Sequence, residues 1–434
     1  MRTATRVLLP ALVIVLSAAF SPPASGHPSV PAPPGENALV RSALPSPPSS
    51  HSGRRSGKVL ADMQDDGDCD ELANKRTALL AEGKTVAACV TYGPAKRVAF
   101  DDMKASDILP IPQYCLENEI QYWYGNREEA CAIVGVLVNV TSLPNNQIIG
   151  QMFLNEYRYA YGSSTYPTVA YQLQVSMYHG WGQIAGTTVS GVSQCTGACT
   201  YVSSDFPIQP VVKDTYPGGE AYFRTTATEA GAIGNMDAVF KYRFYNPSWG
   251  GSGGSTGELT ASYPTVRCDN RVPGTSIAGC VFRDWPGVYA YSLTGPYAEL
   301  AKHIHEAQQA GLPGAYPGTG PNSTPLKRLI FPREQQANRL KACPTAWPRP
   351  ATKSCDEYPM ASTYQGAHTG GGTGRTFSWC SVSALPTGVT GPSGWSSCMI
   401  DQDHNSLGGS DLDTYLYRDQ RILDSDPFYI QIVP

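Results

Sequence analysis

The rhythm of apolar and polar positions changes twice along the chain. Over residues 69–248 the period is two: Tyr171, Leu173, Val175 and Met177 alternate with Gln172, Gln174 and Ser176, residues 131–140 form a β-prone apolar run, and residues 239–245 read as another strand. Frequent Gly, Pro and Ser turns between these segments predict a mainly-β domain, an antiparallel sandwich or barrel. Residues 250–257 are almost entirely Gly and Ser, so a flexible linker is expected over 249–257. Beyond it the pattern turns mixed. Residues 288–293 read as a strand, Tyr297, Leu300, Ala301, Ile304 and Ala307 make one helical stripe closed by Gly311 and Pro313, and Pro332 opens a second helix through Leu340. The expected architecture is multidomain, with an α+β domain over 258–434.

The ends of the chain and its cysteines bear on compartment. Arg2 and Arg6 precede an apolar run over residues 7–20, and small residues follow at 24–26, the pattern of an export signal over residues 1–26. The run is short and carries Pro10, and no later segment approaches a membrane span, so no transmembrane segment is expected. Residues 27–68, rich in Pro and Ser, read as a disordered leader. Twelve cysteines allow up to six disulfides, which fits secretion into an oxidising compartment. Cys195 and Cys199 read as a disulfide; Cys380 with Cys398 would close a Gly/Ser/Pro-rich insertion over 366–399, with Cys343 and Cys355 as other partners.

A net charge of −4 excludes a generally basic, polyanion-coating protein, but the charges are not evenly spread. Residues 327–353 hold Lys327, Arg328, Arg333, Arg339, Lys341, Arg349 and Lys353 against the single acid Glu334. Residues 401–426 hold seven aspartates against Arg418 and Arg421. Cations suited to phosphates thus lie beside acids suited to a metal.

Two segments carry the candidate chemistry. Asp356 and Glu357 sit together before Tyr358-Pro359-Met360-Ala361, and Asn405 follows Asp403-His404 ahead of a Gly-rich turn and an expected helix near Ser410. Carboxylates with an Asn carbonyl suit one hard divalent cation, Mg²⁺ or Mn²⁺, that keeps positions open for water and substrate phosphate. Asp411 and Asp413 lie where that helix would turn a carboxylate toward the ion, although Ser410 and Asp413 also have capping-box spacing. His404 is a candidate auxiliary acid, and Arg339, Lys341, Lys353, Arg418 and Arg421 are candidate phosphate contacts. His303 and His305, two residues apart on a helix, point away from each other and read as surface or structural histidines. No phosphate-cradling glycine loop and no Ser-His-Asp order stands out.

On these segments the C-terminal portion resembles the NucA/NucB family of secreted bacterial deoxyribonucleases, a branch of the ββα-metal, or HNH-like, nucleases. The resemblance covers roughly residues 289–434. It implies a β-hairpin and helix holding one cation, with Asp356 as general base, Asn405 as metal ligand and Glu357 as their neighbour. The expected activity is hydrolysis of DNA with little sequence preference. The β-rich domain would be an accessory module, for which Trp181 and exposed tyrosines could form a polysaccharide or cell-wall binding face. Two competing expectations are a non-enzymatic surface-binding protein with a structural metal and a secreted antibacterial nuclease toxin. Nothing in the sequence indicates an oligomeric state.

Overall fold

In the computed structural model, which describes residues 54–59, 68–93, 111–117, 122–250 and 254–434, the chain is mostly β. Its first unit contains strands β1 (Arg54–Val59), β2 (Val86–Gly93), β3 (Tyr122–Gly125), β4 (Glu129–Ser142), β5 (Gln147–Tyr161), β6 (Thr168–Gly182), β7 (Thr188–Gly197), β8 (Cys199–Asp205), β9 (Gln209–Pro210), β10 (Gly218–Thr225), β11 (Ile233–Tyr245), β12 (Leu259–Ser262), β13 (Val266–Asp269) and β14 (Gly279–Val281), with helices α1 (Cys69–Ala81) and α2 (Gln113–Glu117). One sheet runs β1-β3-β4-β5-β6-β10-β8, with β2 also on β4; the second runs β14-β13-β11-β7-β9, with β12 also on β11.

The two sheets share one core. Val134, Leu154, Leu173 and Val175 of the first sheet pack in the same buried cluster as Met236, Phe240, Tyr242 and Ala261 of the second. Apolar burial of this kind stabilises by about 1.5–3 kcal/mol per large side chain. The alternation of β6 is present, yet Gln172, Gln174 and Ser176 are buried too, because the other face of the sheet meets a second cluster around Tyr114, Tyr157, Tyr159 and Tyr222. Most strand tyrosines therefore serve as core. Trp181 does stand exposed, with Nε1 donating to Gln151 Oε1 at 3.1 Å.

Strand pairing and hydrogen bonds bear on three of the expected boundaries. Both ends of the expected linker are engaged, while residues 251–253 lie outside the described residues: Trp249 is buried with Nε1 donating to Gln183 O, Thr256 N–H donates to Phe244 O, and Gly257 N–H donates to Asp68 Oδ2. Strand β12, beyond the stretch, pairs antiparallel with β11. Because β12, β13 and β14 complete the second sheet, the first unit extends to about residue 285, and residues 258–285 leave the C-terminal domain to which the sequence assigned them. Within the expected disordered leader, Arg54–Val59 pairs antiparallel with β3. The expected export signal at 1–26, and the rest of the leader apart from residue 68, lie outside the described residues.

The second unit mixes small sheets with helices. Strand β15 (Gly287–Ser292) leads into α3 (Ala298–Gln309), then β16 (Leu326–Lys327) and α4 (Pro332–Ala342). Strands β17 (Lys353–Tyr358), β18 (Gly374–Arg375) and β19 (Trp395–Asp401) are followed at once by α5 (Gln402–Asp411), a π-helix over Leu412–Arg418, and β20 (Pro427–Val433). The sheets are β15-β20-β16 and β17-β19-β18, so β17 has one free edge. The α3 stripe buries Leu300, Ala301, Ile304 and Ala307, as its period requires, and His303 lies on the same face.

All twelve cysteines are paired, as Cys69–Cys89, Cys115–Cys131, Cys195–Cys199, Cys268–Cys280, Cys343–Cys355 and Cys380–Cys398. Six disulfides are consistent with a secreted protein. Among the described residues no helix is long and apolar enough to cross a membrane.

The two units meet through buried ions. Arg267 Nη1 donates to Asp426 Oδ2 at 2.5 Å, Arg127 Nη2 donates to the Arg421 carbonyl at 2.8 Å, and Arg421 Nη2 donates to Asp269 Oδ1 at 2.7 Å. All five residues are nearly solvent-free, and burial pulls the Arg127 guanidinium down to about 10 against the opposing pull of Asp426.

Candidate active site

Asp356 sits in the middle of β17, antiparallel to β19, on the face that α3 covers. Its Oδ2 lies 2.5 Å from His303 Nδ1, and His303 Nε2 lies 2.8 Å from Ser396 Oγ. A carboxylate only accepts, so Nδ1 carries a proton. Nε2 then either accepts from the Ser396 hydroxyl or, in the imidazolium, donates to it, with Ser396 turning to the Tyr358 carbonyl at 3.3 Å.

This line has the residue types and contacts of a nucleophilic triad, but its openings are reversed. His303 and Ser396 are fully buried, whereas the Asp356 side chain keeps 11 % of its surface and opens into a cavity of about 630 Å³. A substrate in the cavity reaches the carboxylate and not the hydroxyl. The enclosure of His303 is completed by the insertion between β17 and β19, whose Phe377 ring meets the imidazole at 6.0 Å between centroids. The insertion is therefore ordered on the α3 side and supplies no wall of the cavity; Trp379 Nε1 donates to Glu306 Oε2, and Arg375 donates to the carbonyls of Ala310, Gly391 and Ser393.

The cavity lies along the free edge of β17. Strand alternation sends Asp356 and Glu357 to opposite faces, yet both reach this edge. Burial, and then the neighbouring Asp356 carboxylate, push Glu357 up to about 8, against the pull of the Arg339 guanidinium and of the Ala361 N–H. Arg339 at the end of α4 and exposed Arg349 make the cavity's cationic wall, and the Cys343–Cys355 disulfide ties α4 to β17 between them.

Asn405 closes the other side. Helix α5 begins at Gln402, not near Ser410, because Asp401 caps it by accepting from the N–H groups of Asp403 and His404 at 3.0 and 3.2 Å. Those bonds hold Asp401 below the usual carboxylate range. Asn405 thus stands in the second turn, and its Nδ2 donates to Ser354 Oγ at 2.9 Å and to the Cys355 carbonyl at 3.3 Å. Anchoring the amide nitrogen on β17 leaves Oδ1 as the free acceptor, without a donor among the described residues.

The remaining candidates are placed elsewhere. Asp411 accepts from the Tyr297 hydroxyl at 2.6 Å and Asp413 pairs with Arg418 at 2.6 Å, and neither lines the Asp356 cavity. The earlier helix start is the reason, since it turns both residues past the site. His404 Nδ1 accepts from Glu299 N–H at 3.3 Å, a contact with the start of α3 that turns it from the Asp356 cavity. Lys353 Nζ lies 2.8 Å from Glu299 Oε1; burial raises that carboxyl, but Lys353 and the Asp401 N–H outweigh it and hold it low. Lys341 Nζ lies 4.8 Å from the Trp395 ring centre. Arg421 is buried in the joint, with donors on Asp269 and the Ser164 carbonyl, and is not available to a substrate. Of the aspartates at 401–426, Asp424 accepts from Ile330 N–H and the Tyr364 hydroxyl, and Asp426 faces Arg127 and Arg267.

Asp356, Glu357 and Asn405 bring oxygen atoms to the cavity lining, the donor type a hard divalent cation takes. Among the described residues, the one group of three His, Cys, Asp or Glu ligand atoms that converge is Asp68, Cys69 and Cys89, and its sulfurs are joined in a disulfide. Sequence reasoning missed His303, Ser396 and Ser354. The signal for His303 was available, since it falls inside the apolar stripe of α3. Comparison with family models, with curated proteins and with solved structures returned no match to this chain.

Proposed function

We propose that the chain is a divalent-metal-dependent phosphodiesterase that cleaves DNA, with Asp356 as general base. The observation that carries this reading is the reversed line Ser396–His303–Asp356, a buried support that aims one carboxylate into an oxygen-rich cavity with an arginine wall. The order strand, strand, helix over β17, β19 and α5, with Asp356 on the first strand and Asn405 on the helix, also agrees with the ββα arrangement that the NucA/NucB resemblance implies.

Hydrolysis of a phosphodiester needs an oriented water, relief of charge on the phosphoryl oxygens and a stabilised leaving oxygen. Asp356 takes the water's proton. His303 fixes the carboxylate rotamer and, through Ser396, is itself fixed. Arg339 and Arg349 face the phosphate charge from α4 and the loop after it. A bound Mg²⁺ or Mn²⁺ would supply Lewis-acid stabilisation of phosphate and leaving group, held by Asn405 Oδ1 together with Glu357.

Supercoiled plasmid incubated with the disulfide-intact chain tests this. Nicking with Mg²⁺ or Mn²⁺, absent in EDTA and shifted to higher metal concentration by Asn405→Ala, is the expected result. A folded, metal-supplied chain that leaves the plasmid intact would refute the reading.

A further inference from the structure

We propose that the cleft between the two units is a strand-binding subsite, which holds the single polynucleotide strand leaving the Asp356 cavity and makes the β unit part of substrate recognition. The inference rests on the phosphodiesterase reading above and names what that site acts on.

A second cavity, of about 410 Å³, lies between the units. The β unit contributes Ile233, Arg271 and Val272, and the C-terminal unit contributes Arg328, Phe331 and Tyr417. Tyr417 lines both this cleft and the Asp356 cavity. Its hydroxyl lies 2.9 Å from Ser362 Oγ, and Ser362 is also in the wall of the Asp356 cavity. The two cavities are therefore neighbours across one thin partition.

The lining fits a nucleotide on two counts. Ile233 and Phe331 are apolar and 45 % and 46 % exposed, surfaces for the face of a base. Cations stand beside them. The acids of the cleft are engaged, Asp413 with Arg418 at 2.6 Å and Asp424 with Ile330 N–H and the Tyr364 hydroxyl. Arg271 and Arg328 have no acidic partner among the described residues, and Arg328 Nε is buried without any hydrogen-bond partner. The Arg328 guanidinium is held 3.7 Å above the Tyr417 ring, with Nη1 donating to the Ser362 carbonyl at 3.3 Å, which fixes its charge at the wall of the cleft.

Exposed apolar side chains beside arginines suit unpaired bases, whose faces are free, and the volume of about 410 Å³ matches one or two nucleotides. The walls are fixed before binding, because Arg421, Asp426 and Arg267 lock the units together directly behind it, and Arg418 Nη1 lies 3.2 Å from where a Cβ on Gly274 would sit.

The test is fluorescence anisotropy of a length ladder of labelled oligothymidylates with the full chain in EDTA, where no cleavage occurs. Wild-type affinity is expected to rise with strand length. Arg271→Glu, at an exposed position, should weaken the longer strands roughly tenfold and flatten the length dependence. Arg328→Gln should act in the same direction, and Arg224→Glu, an exposed arginine outside both cavities, should change nothing. If Arg271→Glu and Arg328→Gln keep wild-type affinity and length dependence while plasmid nicking persists, the subsite is wrong and the phosphodiesterase reading stands. Binding of labelled poly-glutamate, lost in Arg271→Glu, with no oligothymidylate binding would assign the cleft to acidic peptide and overturn the proposal. A chain that nicks no plasmid with any metal removes the reading and the subsite together.

Discussion

Two buried clusters in this molecule use similar groups for opposite ends. At the joint between the units, Arg127, Arg267 and Arg421 face Asp269 and Asp426, and each charged group ends on another buried group. Around α3, His303 and Ser396 are equally buried, but the chain of contacts ends on a carboxylate that opens into a cavity. Burial is thus no mark of function by itself. What separates the two clusters is that one member of the second is left facing a space that a substrate can enter, the feature on which the proposed function rests.

The sharpest way to break this contrast is to change the open end. Asp356→Asn keeps an acceptor for His303 Nδ1–H, so the fold should persist, while plasmid nicking falls by about 10²–10⁴-fold, the range of a lost general base. Circular dichroism and melting temperature establish that the variant is folded; wild-type cleavage by a folded Asp356→Asn chain would remove Asp356 from the chemistry.

At the joint the expected loss is of stability. Asp426→Ala leaves buried Arg127 without its carboxylate and Arg267 with Asp269 alone, which costs about 3–5 kcal/mol. Thermal unfolding should begin several degrees lower and show the two units separating into distinct transitions. A melting curve like that of the wild type would mean that the apolar contacts of the joint suffice without the ions.

The third test separates the reversed line from an ordinary triad. If Ser396 were the nucleophile, Ser396→Ala would abolish turnover. With Ser396 as the closed end, the variant should lose roughly tenfold or less, and His303→Asn, which retains a nitrogen donor, should lie between Ser396→Ala and Asp356→Asn. Rates that follow the order Asp356, His303, Ser396 are expected. The reverse order sinks the assignment.

How far the sequence showed these differences depends on the range of the interaction. The stripe of α3, the strand period of β6 and the Pro332 start of α4 are local, and all three are found where the pattern put them. Asp356 and Asn405 were chosen from short segments and do line one cavity. Pairing across long separations was not legible: β12, beyond the expected linker, pairs back onto β11, and Arg421, read as a phosphate contact, bonds to Asp269 far earlier in the chain. Asp411 and Asp413 were misplaced for a local reason. Asp401 caps a helix that already contains Ser410, and both carboxylates come after its cavity-lining turns.

The smallest expected effect concerns the second carboxyl at the cavity edge. Glu357 is raised from the ordinary glutamate range to about 8, chiefly by burial, so the folded chain binds its proton more tightly than the unfolded chain does. Stability from this group is fully present below the unfolded value and is lost as pH rises through the folded one. In EDTA the melting temperature should therefore fall as pH is raised from about 4.5 to about 8, and Glu357→Gln should flatten that slope. Mg²⁺ or Mn²⁺ that binds at the cavity would favour the charged carboxyl and cancel the decline in the wild type alone. A slope that is the same in wild type and Glu357→Gln, with and without cation, would place both the proton and the metal elsewhere, and with them the distinction between an open cluster and a closed one.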